Sequence, residues 1–131
     1  MQTPKIFKSD IAVRGYELDS YGHVNNAVYL NYFEHGRWKL FQELKVMELL
    51  HAKGLLIVVT DVHIRYMREA KLFDPLEILT RVMIERPYLI FRQKVVNKQS
   101  GLTLARGETK TVFLDHTRKP VDILENLTDF F

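Results

Sequence analysis

The stretch Asp19-Ser-Tyr-Gly-His-Val-Asn-Asn-Ala-Val-Tyr-Leu-Asn-Tyr-Phe-Glu34 decides how this chain is expected to fold. Its first half favours a sharp turn, because Gly22 permits backbone conformations that a residue with a Cβ resists. Its second half is apolar on nearly every side, which predicts a helix that is buried from several directions. Asn25 or Asn26 is a suitable N-cap between the two halves. The sequence therefore predicts a turn that leads directly into a buried helix.

The predicted helix extends from about Asn26 to Leu50. Apolar residues and one glycine recur along it at three- and four-residue spacing, namely Tyr29, Tyr32, Phe33, Gly36, Leu40, Leu44 and Met47. From Glu34 onward, charged residues give the helix a second, solvated face. Glycine inside a helix costs up to ~1 kcal/mol relative to alanine, so we expect another element to pack closely against Gly36.

Around this helix the spacing of apolar residues changes to strict alternation, which predicts strands. The predicted elements are strands over Ile6–Leu18, Leu55–Met67, Leu76–Glu85, Tyr88–Asn97 and Leu102–Asp115, a hairpin turn over Lys98–Gly101, and a short helix over Val121–Phe131. Strands joined by short turns pair antiparallel. The predicted fold is therefore α+β, with a five-stranded antiparallel sheet wrapped around one long central helix. Such a sheet has open edges, so we expect a homo-oligomer.

Length and composition exclude several classes of protein. A chain of 131 residues, 47% apolar and 27% charged, is expected to be one globular domain over residues 1–131. It lacks cysteine, and its longest apolar run, Leu55–Val59, is too short for a membrane span, so a cytoplasmic protein is expected. The net charge of +3, without a dense basic block, argues against nucleic acid and favours a small anionic partner. His51, His63 and His116 are scattered, so no metal site is predicted.

The turn and the helix start together indicate chemistry at a carbonyl group. The first amides of the helix, around Asn25–Ala27, lack intrahelical partners and would stabilise an oxyanion. Asp19 precedes them and could attack the carbonyl carbon or activate a water. Alternatively, Asp19 and Asn25 are only turn and capping residues, His23 is a surface residue and Tyr29 is a core aromatic. From the residues alone, both interpretations stay open.

The pattern Asp19-x-x-Gly-His-Val-Asn-Asn-Ala-x-Tyr-Leu30, with Phe33-Glu34 and Arg37-Trp38 following, resembles the signature of hot-dog-fold thioesterases of the 4-hydroxybenzoyl-CoA type. Within that group it is similar to the bacterial long-chain acyl-CoA thioesterases. The resemblance implies hydrolysis of a medium- to long-chain fatty acyl-CoA to fatty acid and CoA, without cofactor or metal. It places the catalytic carboxylate on Asp19 and the oxyanion-binding amide near Asn25. Related plant acyl-carrier-protein thioesterases have a functional histidine at the position of His23, preceded by an asparagine where this chain has Tyr21.

The resemblance also implies substrate contacts and an assembly. The implied contacts are Gly22, Asn26, Tyr29, Val59, Thr60, Arg65 and Arg68. Sites of this family lie at a dimer interface, so Val59 and Thr60 of one subunit are expected near Asp19 of the other, in a homodimer or a pair of dimers. Arg65 and Arg68 are candidates for the CoA phosphates, although a solvated strand end explains them equally well. Three other functions stay open on this fold: a non-catalytic acyl-thioester binder, an acyl-carrier-protein thioesterase and a hydratase.

Overall fold

The structure, a computed structural model, describes residues 5–122. Its elements are β1 (Ile6–Ala12), a 3₁₀ turn (Gly15–Glu17), α1 (Val28–Leu44), α2 (Val46–Ala52), β2 (Leu56–Tyr66), β3 (Pro75–Glu85), β4 (Tyr88–Asn97), β5 (Thr103–Leu114) and β6 (Pro120–Val121). Val121 belongs to the short strand β6, and the rest of the helix predicted up to Phe131 lies outside the described residues.

The five long strands form one antiparallel sheet in the order β1-β3-β4-β5-β2, and β6 adds a short pairing to β5. Each strand joins its neighbour along the chain except β1 and β2, which lie at the two edges. The predicted α+β architecture, a long helix against an antiparallel sheet, is confirmed.

Helix α1 packs across β1, β3 and β4 and buries its aromatic side chains against them. Gly36 lies at the closest approach. A Cβ built there would lie 2.7 Å from Ile78 Cγ2, 2.8 Å from Gln93 Nε2 and 2.9 Å from Thr80 Oγ1. The close packing predicted at Gly36 is therefore confirmed, because any larger side chain would displace these atoms.

Two predicted elements are shorter in the structure. The first strand ends at Ala12, where the chain enters the 3₁₀ turn, so Asp19 lies in a turn and not at a strand end. The long helix is interrupted at Lys45, which adopts a left-handed conformation with φ 55°. This break redirects α2 so that Val46 and Leu50 reach the core, which a continuous helix would not allow.

Helix α1 does not cover β2. On the helix side of this strand Val59, Val62 and Tyr66 are 50%, 42% and 45% exposed, and Leu30 of α1 is 46% exposed. The predicted burial of the helix start from all sides is therefore wrong for a single chain. These apolar side chains line an open groove between α1 and β2, and at one end of it Tyr66 contacts Tyr29 and the Asn26 carbonyl.

Candidate active site

Asp19 holds together the turn that precedes α1. Its Oδ1 accepts the N–H groups of Tyr21 at 2.9 Å and His23 at 3.3 Å, and its own N–H donates to the His23 carbonyl at 2.7 Å. Gly22, with φ +77°, donates its N–H to the Asp19 carbonyl at 3.1 Å. The Oδ2 atom of Asp19 has no hydrogen-bond partner among residues 5–122. One carboxylate oxygen thus fixes the turn, and the other is available.

A buried glutamate, Glu17, lies beside this turn, and no sequence motif marks it. Glu17 is only 3% exposed, and its carboxylate accepts the Arg14 N–H and guanidinium, both at 2.8 Å, and the Tyr32 hydroxyl at 2.9 Å. Burial alone would raise the pKa of Glu17, but the bonds from Arg14 and Tyr32 outweigh it, so the pKa lies below its usual value. Burial, together with the Glu17 carboxylate, raises the pKa of Tyr32, which therefore stays a neutral donor.

Glu17→Gln is expected to destabilise the protein by about 1–3 kcal/mol near neutral pH, because the ion pair with Arg14 and a charge-assisted bond from Tyr32 are lost. Since the folded-state pKa of Glu17 lies below its unfolded value, this stabilisation is complete above the unfolded pKa of about 4.3 and disappears as pH falls through the folded pKa. Urea unfolding of both proteins from neutral to acidic pH measures the difference. If the difference in unfolding free energy between the two proteins did not decrease below about pH 4, the stabilising role of the Glu17 carboxylate would be contradicted.

The amides at the helix start are not all free. The N–H of Asn25 donates to the Glu17 carbonyl at 2.9 Å, and the N–H of Ala27 donates to Asn25 Oδ1 at 3.0 Å. Both of these N–H groups are therefore already engaged within the chain. The N–H of Asn26 has no partner within the described part of the chain. Its carbonyl accepts the Tyr66 hydroxyl at 2.8 Å, which holds this peptide in place.

Asp19 and Asn26 line the same cavity, of about 310 Å³. The cavity lies between the turn, the start of α1 and the end of β2, and it is lined by Asp19, His23, Val24, Asn26, Tyr29, Tyr66, Met67, Arg68 and Glu69. Burial raises the pKa of Tyr29 to about 12, so its phenol is neutral at physiological pH. Five of the predicted site residues, Asp19, His23, Asn26, Tyr29 and Arg68, therefore line one cavity.

His23 has an acidic partner that the sequence did not reveal. Its Nε2 lies 2.8 Å from Glu69 Oε2, and both side chains line the cavity. The contact forms because the turn pairs with the segment after β2, through the N–H of Val24 and the carbonyl of Ala70 at 2.9 Å. Glu69 therefore places a carboxylate directly beside the imidazole.

The remaining predicted contacts lie elsewhere in the single chain. Val59 lines a second cavity, of about 250 Å³, together with Trp38 and Met47. Thr60 sits at an irregularity of β2, and its hydroxyl donates to Asp61 Oδ2 at 2.8 Å. Arg65 points to the opposite face of the sheet, whereas Arg68 donates to the Thr103 carbonyl at 2.7 Å beside the Asp19 cavity. The structure thus separates Arg65 from Arg68.

Within residues 5–122, no group of three or more His, Asp or Glu side chains is arranged to hold a metal ion. Over the same residues, neither helix combines the length and apolar character that crossing a bilayer demands.

Comparison with known proteins gives a family and a fold. The model of the Thioesterase-like superfamily matches residues 13–131. The crystal structure of YbaW, a probable thioesterase from Escherichia coli, superposes with a TM-score of 0.87 at 30% identity and 95% coverage of both chains. The hot-dog fold that the sequence pattern implied is thereby confirmed.

Two curated relatives match parts of the sequence. The long-chain acyl-CoA thioesterase FadM of Escherichia coli is 39% identical over 75 residues, which is 57% of each chain. The chloroplastic acyl-acyl carrier protein thioesterase ATL2 of Arabidopsis thaliana is 24% identical over 124 residues, covering 93% of this chain and 66% of that protein. The matches therefore span less than two thirds of the length of these relatives.

Proposed function

This chain belongs to the thioesterase-like superfamily, and on that premise we propose that it hydrolyses the thioester of a fatty acyl-CoA to a free fatty acid and CoA. The observation that carries the proposal is one cavity at the start of α1, lined by Asp19, whose Oδ2 is unengaged among residues 5–122, and by Asn26, whose backbone N–H is unengaged among the same residues. These are the two groups that thioester hydrolysis requires. The match to FadM supports acyl-CoA as the substrate.

In the proposed mechanism the thioester carbonyl oxygen accepts the N–H of Asn26. The positive end of α1 adds to this stabilisation as the oxygen becomes negative. Asp19 either attacks the carbonyl carbon itself or removes a proton from a water that attacks it. The C–S bond then breaks and sulfur leaves as thiolate. Where Asp19 attacks, water then hydrolyses the acyl-aspartyl anhydride, which releases the fatty acid and regenerates the carboxylate. Because a thiol has a pKa of about 8.5, this departure needs no strong general acid.

In this scheme His23 and Glu69 assist. Glu69 lies against Nε2 of the imidazole and holds the ring beside the bound substrate. His23 therefore contributes to the rate without carrying the nucleophilic or basic step.

His23→Ala is expected to lower kcat/KM for an acyl-CoA by about tenfold, a partial loss, because Asp19 and Asn26 keep their positions. Steady-state hydrolysis with thiol release as the readout measures it. His51→Ala, at an exposed position of α2, is the matched control and should change nothing. A loss as severe as that of an Asp19 variant would instead favour a plant-type scheme in which the histidine acts directly.

We propose that the acyl chain lies in the groove between α1 and β2. In this proposal the chain passes from the Asp19 cavity, beside Tyr29, toward the second cavity at Trp38 and Met47. Tyr29 and Trp38 are nine positions apart on α1, which is about 13 Å along the axis. An extended chain advances about 1.2 Å per bond, so the groove accommodates about eleven bonds. This length supports a medium- to long-chain substrate.

We also propose a homodimer, or a pair of dimers, in which β2 and the open groove are covered. The exposed apolar side chains Leu30, Val59 and Val62 and the unpaired edge of β2 support this assembly. In it, Val59 and Thr60 of one subunit face Asp19 of the other. Light scattering during gel filtration tests it, and a monomer at assay concentration would contradict it.

A hydrolysis screen over acyl-CoA chain length, with free thiol as the readout, tests the proposed function. We expect turnover that rises from short to medium or long chains. A second candidate substrate, acyl carrier protein carrying the same acyl groups, is favoured by the match to ATL2 and belongs in the same screen. Affinity for acyl-CoA without thiol release would refute hydrolysis and identify a binding protein.

A further inference from the structure

The face of the sheet that points away from α1 carries a concentration of positive charge. Two neighbouring rows of side chains cross the strands there. One row consists of Lys8, Leu79, Lys94, Arg106 and Arg65, and the other consists of Ile6, Arg81, Arg92, Glu108 and His63. These rows hold six cationic side chains and one carboxylate. The flanking rows carry carboxylates, Asp10 and Glu77 on one side and Asp61 on the other, so the positive charge is concentrated in the two middle rows.

The arrangement within the rows brings like charges together. Arg106 lies directly opposite both Lys94 and Arg65, and Arg81 lies directly opposite Arg92. Like charges in such cross-strand positions repel and destabilise a sheet.

Only partial compensation comes from acidic side chains. Arg92 pairs with Glu108 at 3.1 Å. In the part of the chain that the structure describes, no carboxylate lies within ion-pairing distance of Arg65, Arg106 or Lys94. Three cations in one row, each without an ion-pair partner among the described residues, indicate an anionic ligand.

A groove of about 870 Å³ lies over these rows. Its walls include five of the six cations, and Ile6 and Leu79 add an apolar surface at its β1–β3 side. The volume lies within the range of about 300–1,000 Å³ that is typical of small-molecule sites. No residue lining this groove also lines the Asp19 cavity.

We propose that this groove binds a nucleoside polyphosphate, at a site separate from the Asp19 cavity. The phosphates lie along the row of Lys94, Arg106 and Arg65, where arginine provides the planar pair of donors that suits phosphate oxygens. The nucleoside lies against Ile6 and Leu79. A second copy of the chain is a poor occupant, because face-to-face packing would place the same cations against one another. Bound phosphate would offset the repulsion between the cationic side chains in these rows.

The double variant Lys94→Gln/Arg106→Gln tests the proposal against the matched pair Lys39→Gln/Lys53→Gln, which removes one exposed cation from α1 and one from the residue that follows α2. ATP at about 1 mM should raise the melting temperature of wild type and control by several degrees, and that of the double variant by less than about one degree. Without ATP, the double variant should melt about 2 °C above wild type, because like-charge pairs are gone. Its KM for acyl-CoA should stay within about twofold of wild type.

Several outcomes would overturn the proposal. Sodium chloride at matched ionic strength could reproduce the ATP shift, or the double variant could keep it. A single-stranded oligonucleotide could stabilise the protein more than ATP does. The KM for acyl-CoA could rise about tenfold in the double variant while ATP has no effect, which would assign the groove to the substrate. Failure of the proposed hydrolysis is a distinct result, because it appears as absent thiol release in wild type.

Discussion

Asp19→Asn is expected to lower kcat/KM for acyl-CoA hydrolysis by about a thousandfold while the fold is retained. The asparagine Oδ1 can still accept the N–H groups of Tyr21 and His23, so the turn before α1 stays intact. A neutral amide can neither attack a carbonyl carbon nor accept a proton from water at neutral pH. The substitution therefore removes the chemical role of the carboxylate and keeps its hydrogen bonds in the turn. Asp19→Ala would remove both.

The matched control is Asp10→Asn, which neutralises an exposed carboxylate on β1 whose Oδ1 lies 3.2 Å from Lys98 Nζ. It should hydrolyse acyl-CoA like wild type, since an exposed ion pair contributes little. Circular dichroism and thermal melting of both variants verify folding. Turnover by Asp19→Asn within about threefold of wild type would refute the catalytic assignment and leave Asp19 as a turn residue.

Gly36→Val is expected to give the largest loss of stability, about 2–4 kcal/mol in the free energy of unfolding. A Cβ at this position approaches Ile78, Thr80 and Gln93 within 2.7–2.9 Å, and two branches add to that overlap. The Gln93 side chain cannot move away without breaking hydrogen bonds. Its Nε2 donates to the Phe33 carbonyl at 2.8 Å and lies 2.9 Å from Thr80 Oγ1 in the buried layer between α1 and the sheet.

Lys39→Val, at an exposed position of the same helix, is the control for the helix propensity of valine. It should cost only a few tenths of a kcal/mol, because no side chain packs over it. Urea titration of both variants gives the difference. Equal losses of unfolding free energy in the two variants would show that position 36 tolerates a side chain.

Most secondary structure followed from local pattern. The alternation of β3 and β4 predicted their bounds to within a residue, because each strand has one face on the core and one in solvent. The first strand was overestimated because Val13 and Leu18 continue an apolar pattern although Glu17 pulls the backbone into a 3₁₀ turn. The break at Lys45 carries no glycine or proline, so periodicity alone predicted one continuous helix.

The candidate site was predictable only where it is contiguous in sequence. Asp19, Gly22 and the helix start follow one another within a few residues, and a turn ahead of a helix requires such residue types. Glu69 reaches His23 from a segment 46 positions later, and nothing local distinguishes it from other exposed acids. The Glu17 carbonyl accepts the N–H of Asn25, so the N–H of Asn26 is the one that stays unpaired.

The sequence by itself determined the class of fold, the turn ahead of the helix and the carboxylate within it, because these depend on periodicity and on backbone freedom at neighbouring positions. Three features depend on the tertiary structure: the amide that stays unpaired, the acid that contacts His23, and the positions of Arg65 and Arg68. These two arginines are close in sequence but lie on different faces of the sheet. The physical reason is that hydrogen-bond partners and charge clusters are set by contacts across strands. The local sequence of one strand does not show which strands will pair with it.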